Sequence, residues 1–206
     1  MNFNIYEILI ALPGLLIAMT FHELAHGYAA YKLGDPTAKE SGRLTLNPIK
    51  HVDIIGLLLL IFARFGWAKP VPINPSYFKN RKKGMIITSF AGPLMNFILA
   101  ISFSVLRVLL IKYQFINSIM NQVLISAIIY NIVLGIFNLL PFPPLDGSKI
   151  VASLLPTKYE MKVYRYERYL YLILIILVIT NTIDEILWPL VNFGLDIIDN
   201  IGRYFL

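Results

Sequence analysis

The chain has 206 residues, 57% hydrophobic and only 15% charged, with a formal net charge of +6. A typical soluble domain carries about 25% charged residues, so the composition excludes an ordinary soluble fold and points to an integral membrane protein. There is no cysteine, which excludes disulfides and thiolate metal sites and leaves only His, Asp and Glu to hold any zinc.

The first apolar stretch, residues 5–31, exceeds the roughly 20 residues a helix needs to cross a bilayer. The leading Met-Asn-Phe-Asn lacks the basic region of a secretory signal, so this stretch is expected to be retained. Inside it lies His22-Glu23-Leu24-Ala25-His26. On a helix this spacing brings two imidazoles one turn apart onto one face with a carboxylate beside them, which suits a zinc-activated water. A carboxylate at membrane depth costs about 2.5–3.5 kcal/mol on insertion scales, so it marks a functional site. His51 is the only other histidine, and a zinc site built wholly from histidine would use all three.

Residues 54–63 are apolar but too short for a comfortable span and read as a re-entrant segment. Residues 67–75 carry Pro70, Pro72 and Pro75, which permits an edge strand but no central one; a short membrane-associated β element is expected here. The run Lys79 to Lys83 holds four basic residues and reads as a topology anchor rather than a nucleic-acid surface. Residues 84–111 and 118–140 are further spans. Then comes Pro141-Phe142-Pro143-Pro144-Leu145-Asp146-Gly147, whose prolines forbid a helix; irregular backbone at membrane depth survives only where it is buried or lines a watery cavity. Residues 169–180 form a shorter apolar core with a tyrosine-rich shoulder, and 183–206 carry an apolar stripe that either crosses or lies in the interface. The expected fold is an all-α polytopic membrane protein, a single domain of about 5–6 transmembrane helices, with a catalytic core over about 5–155 and C-terminal helices over about 157–206.

Basic residues are dense at 32–50, 69–83 and 149–168, so the positive-inside rule puts these regions in the cytoplasm. That brings the His pair and the segment ending at Asp146 to the same face. A catalytic zinc takes three protein ligands and leaves one position open for water. His22, His26 and Asp146 are the candidate ligands, although Asp146 would equally serve to cap the next helix. Glu23 is the candidate general base, and Asn138 the candidate donor to a developing oxyanion, unless it only satisfies carbonyls at a helix end. His51 and Asp53 either position substrate or form a structural pair. Gly92 and Asn96, one turn apart, suit close helix packing as well as substrate contact.

The pairing of FHELAH with NLLPFPPLDG resembles the site-2 protease family of intramembrane zinc metalloproteases. Three intervening stretches are similar to that family's motifs in the same order: Asn47 to Asp53, Gly66 to Pro72 and Ala91 to Asn96. Ile54 stands where relatives often carry proline. The resemblance implies one zinc per chain on His22, His26 and Asp146, Glu23 as base and Asn138 at the oxyanion. It also implies a transmembrane helix as substrate, in the minimal branch without PDZ or CBS regions. The expected setting is a bacterial or archaeal cell membrane with the site toward the cytoplasm, and the oligomeric state stays open. Two rival classes are a membrane transporter, which also uses broken helices and midplane charges but would show duplicated halves, and a zinc-holding scaffold, which would not need Glu23.

Overall fold

A computed structural model describes residues 5–53, 55–56 and 68–204. The described helices are α1 (Ile5–Lys32), α2 (Thr37–Glu40), α3 (Arg81–Lys112), α4 (Ser118–Leu139), α5 (Asp146–Leu154), α6 (Thr157–Ile179) and α7 (Thr182–Arg203). Asparagine side chains start the two central spans: Asn80 accepts from the Lys83 amide before α3, and Asn117 from the Met120 amide before α4. Helix α4 stops at Leu139 because Pro141, Pro143 and Pro144 cannot donate to its last carbonyls.

Helices α1, α3 and α4 are each long and apolar enough to cross a membrane, and they pack pairwise on one another. Helix α7 lies against α3 and α4, with Ala100, Ile128, Ile132, Leu187, Val191 and Ile198 forming the core of that contact. A second cluster, Leu140, Leu145, Leu174 and Ile183, ties the proline segment to the turn between α6 and α7. Large apolar side chains such as Leu9, Ile98, Ile176 and Phe193 remain exposed, as expected of a lipid-facing surface. The chain is a multi-pass membrane protein.

One expectation is met in part and another is not met. Among the described residues three helices meet the length and apolarity of a span, or four if α6 and α7 count as one bent pair, fewer than the 5–6 expected. The pair bends by 78° after α6, where Asn181 takes the left-handed conformation (φ 57°) that asparagine tolerates. Charged residues crowd the first half of α6 (Lys158, Glu160, Lys162, Arg165, Glu167 and Arg168) and punctuate α7 (Asp184, Glu185, Asp196, Asp199 and Arg203), so neither helix qualifies alone. The β element is also not seen: the described residues hold only an isolated antiparallel bridge, Val52 to Ala68. Pro70 and Pro72 have no N–H to extend a ladder, and side chains take up neighbouring backbone groups, as set out below. The re-entrant segment expected at 54–63 lies outside the described residues except for Ile55 and Gly56, and Trp67 lies outside them too.

Candidate metal centre

The C-terminal part of α1, the N-terminal part of α3 and the proline segment after α4 meet at one end of the bundle. His22 and His26 sit on the buried face of α1, six residues before its end at Lys32 in the case of His26, or about 9 Å along the axis. Their rings pack edge to face at 84°, with the two Nε2 atoms 3.0 Å apart. Oδ2 of Asp146 lies 3.2 Å from the first and 2.9 Å from the second. All three residues are at most 5% exposed.

The hydrogen bonds behind the rings fix what they present. His22 Nδ1 lies 2.5 Å from Asn96 Oδ1. The Asn96 amide is oriented in turn, because its Nδ2 donates to the Ala18 carbonyl at 3.1 Å and to Asn131 Oδ1 at 3.0 Å. His26 Nδ1 donates to the Thr88 carbonyl at 2.7 Å. Each Nδ1 therefore carries the proton, and each Nε2 turns a lone pair toward the other and toward the carboxylate. A tetrahedral zinc with arms of about 2.0 Å has edges of about 3.3 Å, close to the spacings found, and a cation resolves the meeting of three acceptors. The residues fit zinc.

Asp146 is the first residue of α5, and the capping position before it is Leu145 rather than the aspartate. Its Oδ2 faces the imidazoles and its Oδ1 lies 3.1 Å from Lys149 Nζ. Gly147 follows because a Cβ there would lie 2.1 Å from the Leu139 carbonyl oxygen. Gly92 forms the opposite wall: a Cβ would stand 2.4 Å from His26 Nε2 and 2.7 Å from His22 Nε2.

Glu23 is buried beside the pair, and its Oε2 accepts from the Val71 amide at 2.8 Å. Asn138 donates back to the Leu134 carbonyl of its own helix at 3.0 Å. His51 is fully buried and bonds the Thr45 carbonyl at 2.8 Å, while Asp53 accepts from the Gly56 amide at 2.8 Å. The structure thus brings together His22, His26, Asp146 and Asn96, whereas Asn138, His51 and Asp53 make their hydrogen bonds elsewhere. Sequence reasoning missed Asn131, the Thr88 carbonyl and Gly92 as a wall. The available signal was an asparagine near the middle of each of two apolar spans, Asn96 in α3 and Asn131 in α4, since a polar side chain at membrane depth seeks a partner. A cleft of about 380 Å³ opens beside Lys149, the residue that pairs with Asp146 Oδ1, and is bounded by Pro75, Arg81, Met85, Pro143 and Tyr164 among others.

The model of peptidase family M50 matches residues 108–180, the stretch that includes Asn138 and Asp146. The chain is 43% identical over 187 residues to Putative zinc metalloprotease YwhC of Bacillus subtilis, covering 88% of this chain and 85% of the relative. It is 27% identical over 198 residues to Putative zinc metalloprotease Rip2 of Mycolicibacterium smegmatis, covering 91% and 73%. It is 31% identical over 147 residues to Zinc metalloprotease MJ0392 of Methanocaldococcus jannaschii, covering 70% of this chain and 34% of that protein. No solved structure matches the chain.

Proposed function

The chain belongs to peptidase family M50 and is a zinc metalloendopeptidase, and on that premise we propose that it cleaves peptide bonds within or near the transmembrane helices of other membrane proteins. The observation that carries the reading is the convergence of His22, His26 and Asp146 on one buried point, inside a bundle of helices apolar enough to cross a bilayer.

In this reading the three side chains hold zinc. When bound, zinc supplies the Lewis acidity that makes water nucleophilic near neutral pH and polarises the scissile carbonyl. Glu23 takes the proton from the attacking water and passes it to the leaving amine. Its Oε2 is occupied by the Val71 amide, which leaves Oε1 for that transfer. Asn96 and the Thr88 carbonyl keep the imidazoles in the ligand tautomer. Asn138 is the donor assigned to the oxyanion, and reaching it requires the amide to leave the Leu134 carbonyl. The substrate is a transmembrane helix unwound locally before attack, and its released strand enters by the cleft beside Lys149 or along residues 68–74. Basic residues at this end, among them Lys32 at the end of α1 and Lys50, Lys69 and Lys79 beyond it, orient the centre toward the cytoplasm.

The test is cleavage of a single-span model substrate by purified protein in detergent, with and without a chelator. Glu23→Gln should keep its zinc and lose cleavage by at least about 100-fold, in the range of general-base removal. Full activity in that variant refutes the mechanism, and cleavage undiminished by complete zinc removal refutes the assigned chemistry.

A further inference from the structure

Arg43 lies in the loop after α2 and is only 7% exposed, yet among the described residues it pairs with no carboxylate. Its guanidinium instead donates to two successive backbone carbonyls, Nη2 to Lys69 O at 2.6 Å and Nη1 to Pro70 O at 3.1 Å. A buried guanidinium with only neutral partners is costly, so its position calls for a reason.

The reason lies in the peptide it touches. The Pro70 carbonyl and the Val71 amide belong to one planar peptide unit, whose C=O and N–H point in opposite directions when trans. At one end of that unit sits Arg43, and at the other the Val71 N–H donates to Glu23 Oε2 at 2.8 Å. A buried cation and the proposed catalytic carboxylate are thus joined through a single peptide dipole, and hydrogen bonds in such a chain polarise and strengthen one another. Val71 itself is buried and seated against α1 directly after the second ligand: a Cβ on Gly27 would lie 3.0 Å from Val71 Cγ1. The far end of the segment is held separately, by Asp35 Oδ2 accepting from the Asn74 amide at 2.7 Å.

We infer that Arg43 is a positioning residue for the reaction: through the Pro70–Val71 peptide it fixes Glu23 so that one carboxylate oxygen is tied and the other is aimed at the reacting water. Arg43 touches neither zinc donors nor, in this role, substrate. The inference rests on the assignment of Glu23 as base, and the experiment separates the two.

The experiment uses full-length zinc-loaded protein in detergent with a single-span model substrate, alongside amide hydrogen exchange over 69–74. Arg43→Met should lower kcat by about 10–100-fold, the usual range for partners that orient an active-site group, with KM changed less than about twofold and zinc content unchanged. Val71→Pro, which deletes the donated N–H, should do the same, and the double variant should be no slower than the slower single one. In Arg43→Met the Val71 amide should exchange at least about tenfold faster while the Asn74 amide, held by Asp35, keeps its protection. Should Arg43→Met not fold, Arg43→Lys tests the same point, because an ammonium cannot reproduce the fork to two carbonyls and kcat should again fall. Wild-type kcat and Val71 protection in the arginine variants, with Glu23→Gln inactive, overturn the inference. So do multiplicative losses in the double variant, or equal loosening of Asn74, which marks a merely structural arginine. Wild-type activity in Glu23→Gln overturns the base assignment instead, and the Val71 exchange rate still reports whether Arg43 holds the segment.

Discussion

Replacing Gly92 by alanine is the smallest change that should empty the metal centre while leaving the fold intact. The added Cβ would stand 2.4 Å from His26 Nε2, 2.6 Å from its Cε1 and 2.7 Å from His22 Nε2. An ordinary contact between such atoms needs about 3.5 Å, so one or both rings must retreat by about 1 Å. They have little room to do so. His26 is held from behind by the Thr88 carbonyl at 2.7 Å, and His22 by Asn96 at 2.5 Å, on the same helix as residue 92. Zinc sites tolerate ligand displacements of only about 0.2 Å, so the affinity should fall by at least about 100-fold. The helix itself should gain, because alanine is about 0.8–1 kcal/mol better than glycine in a helix interior. Zinc content by mass spectrometry, chelator competition and thermal melting of the zinc-free protein together read the effect. The expected pattern is lost zinc with a melting temperature lowered by only a few degrees, because an overpacking cost of about 1–3 kcal/mol is partly offset by the helix gain. A Gly92→Ala protein that binds one zinc with wild-type affinity would refute the donor geometry.

Asn96→Ala removes the acceptor behind His22 and the partner of Asn131, and should weaken zinc by about 10–100-fold in chelator competition; unchanged affinity would show that Asn96 only packs. Glu160 is 2% exposed and pairs with Arg81 at 2.8 Å, fastening the charged start of α6 to the start of α3. Glu160→Gln should cost about 1.5–3 kcal/mol, the value of a hydrogen bond to a charged group, discounted toward the lower figure because Arg81 is half exposed. Zinc content should not change, and a zinc loss matching the loss of stability would mean that α6 supports the metal centre directly.

The sequence alone carried whatever depends on short-range periodicity. Residues four apart on a helix must share a face, so His22 and His26 were legible as a pair as soon as the surrounding residues read as a span. The prolines at 141, 143 and 144 had to end α4, and that end is where Asp146 enters. Charge density along the loops placed both at one side of the bundle before any contact was known. The tertiary structure decided what depends on how helices cross. Asn96 meets His22 across 74 residues and Asp146 meets it across 124, distances over which spacing says nothing. Gly92 read as suited to helix packing or substrate contact, because only the approach of α1 shows that the neighbour is a pair of imidazole nitrogens. The expected edge strand proved to be a segment held by Arg43, Glu23 and Asp35, since prolines forbid the ladder and leave its remaining polar groups to side chains. The two imidazoles were fixed by the helix they share; everything that aims them comes from chain segments that only packing brings near.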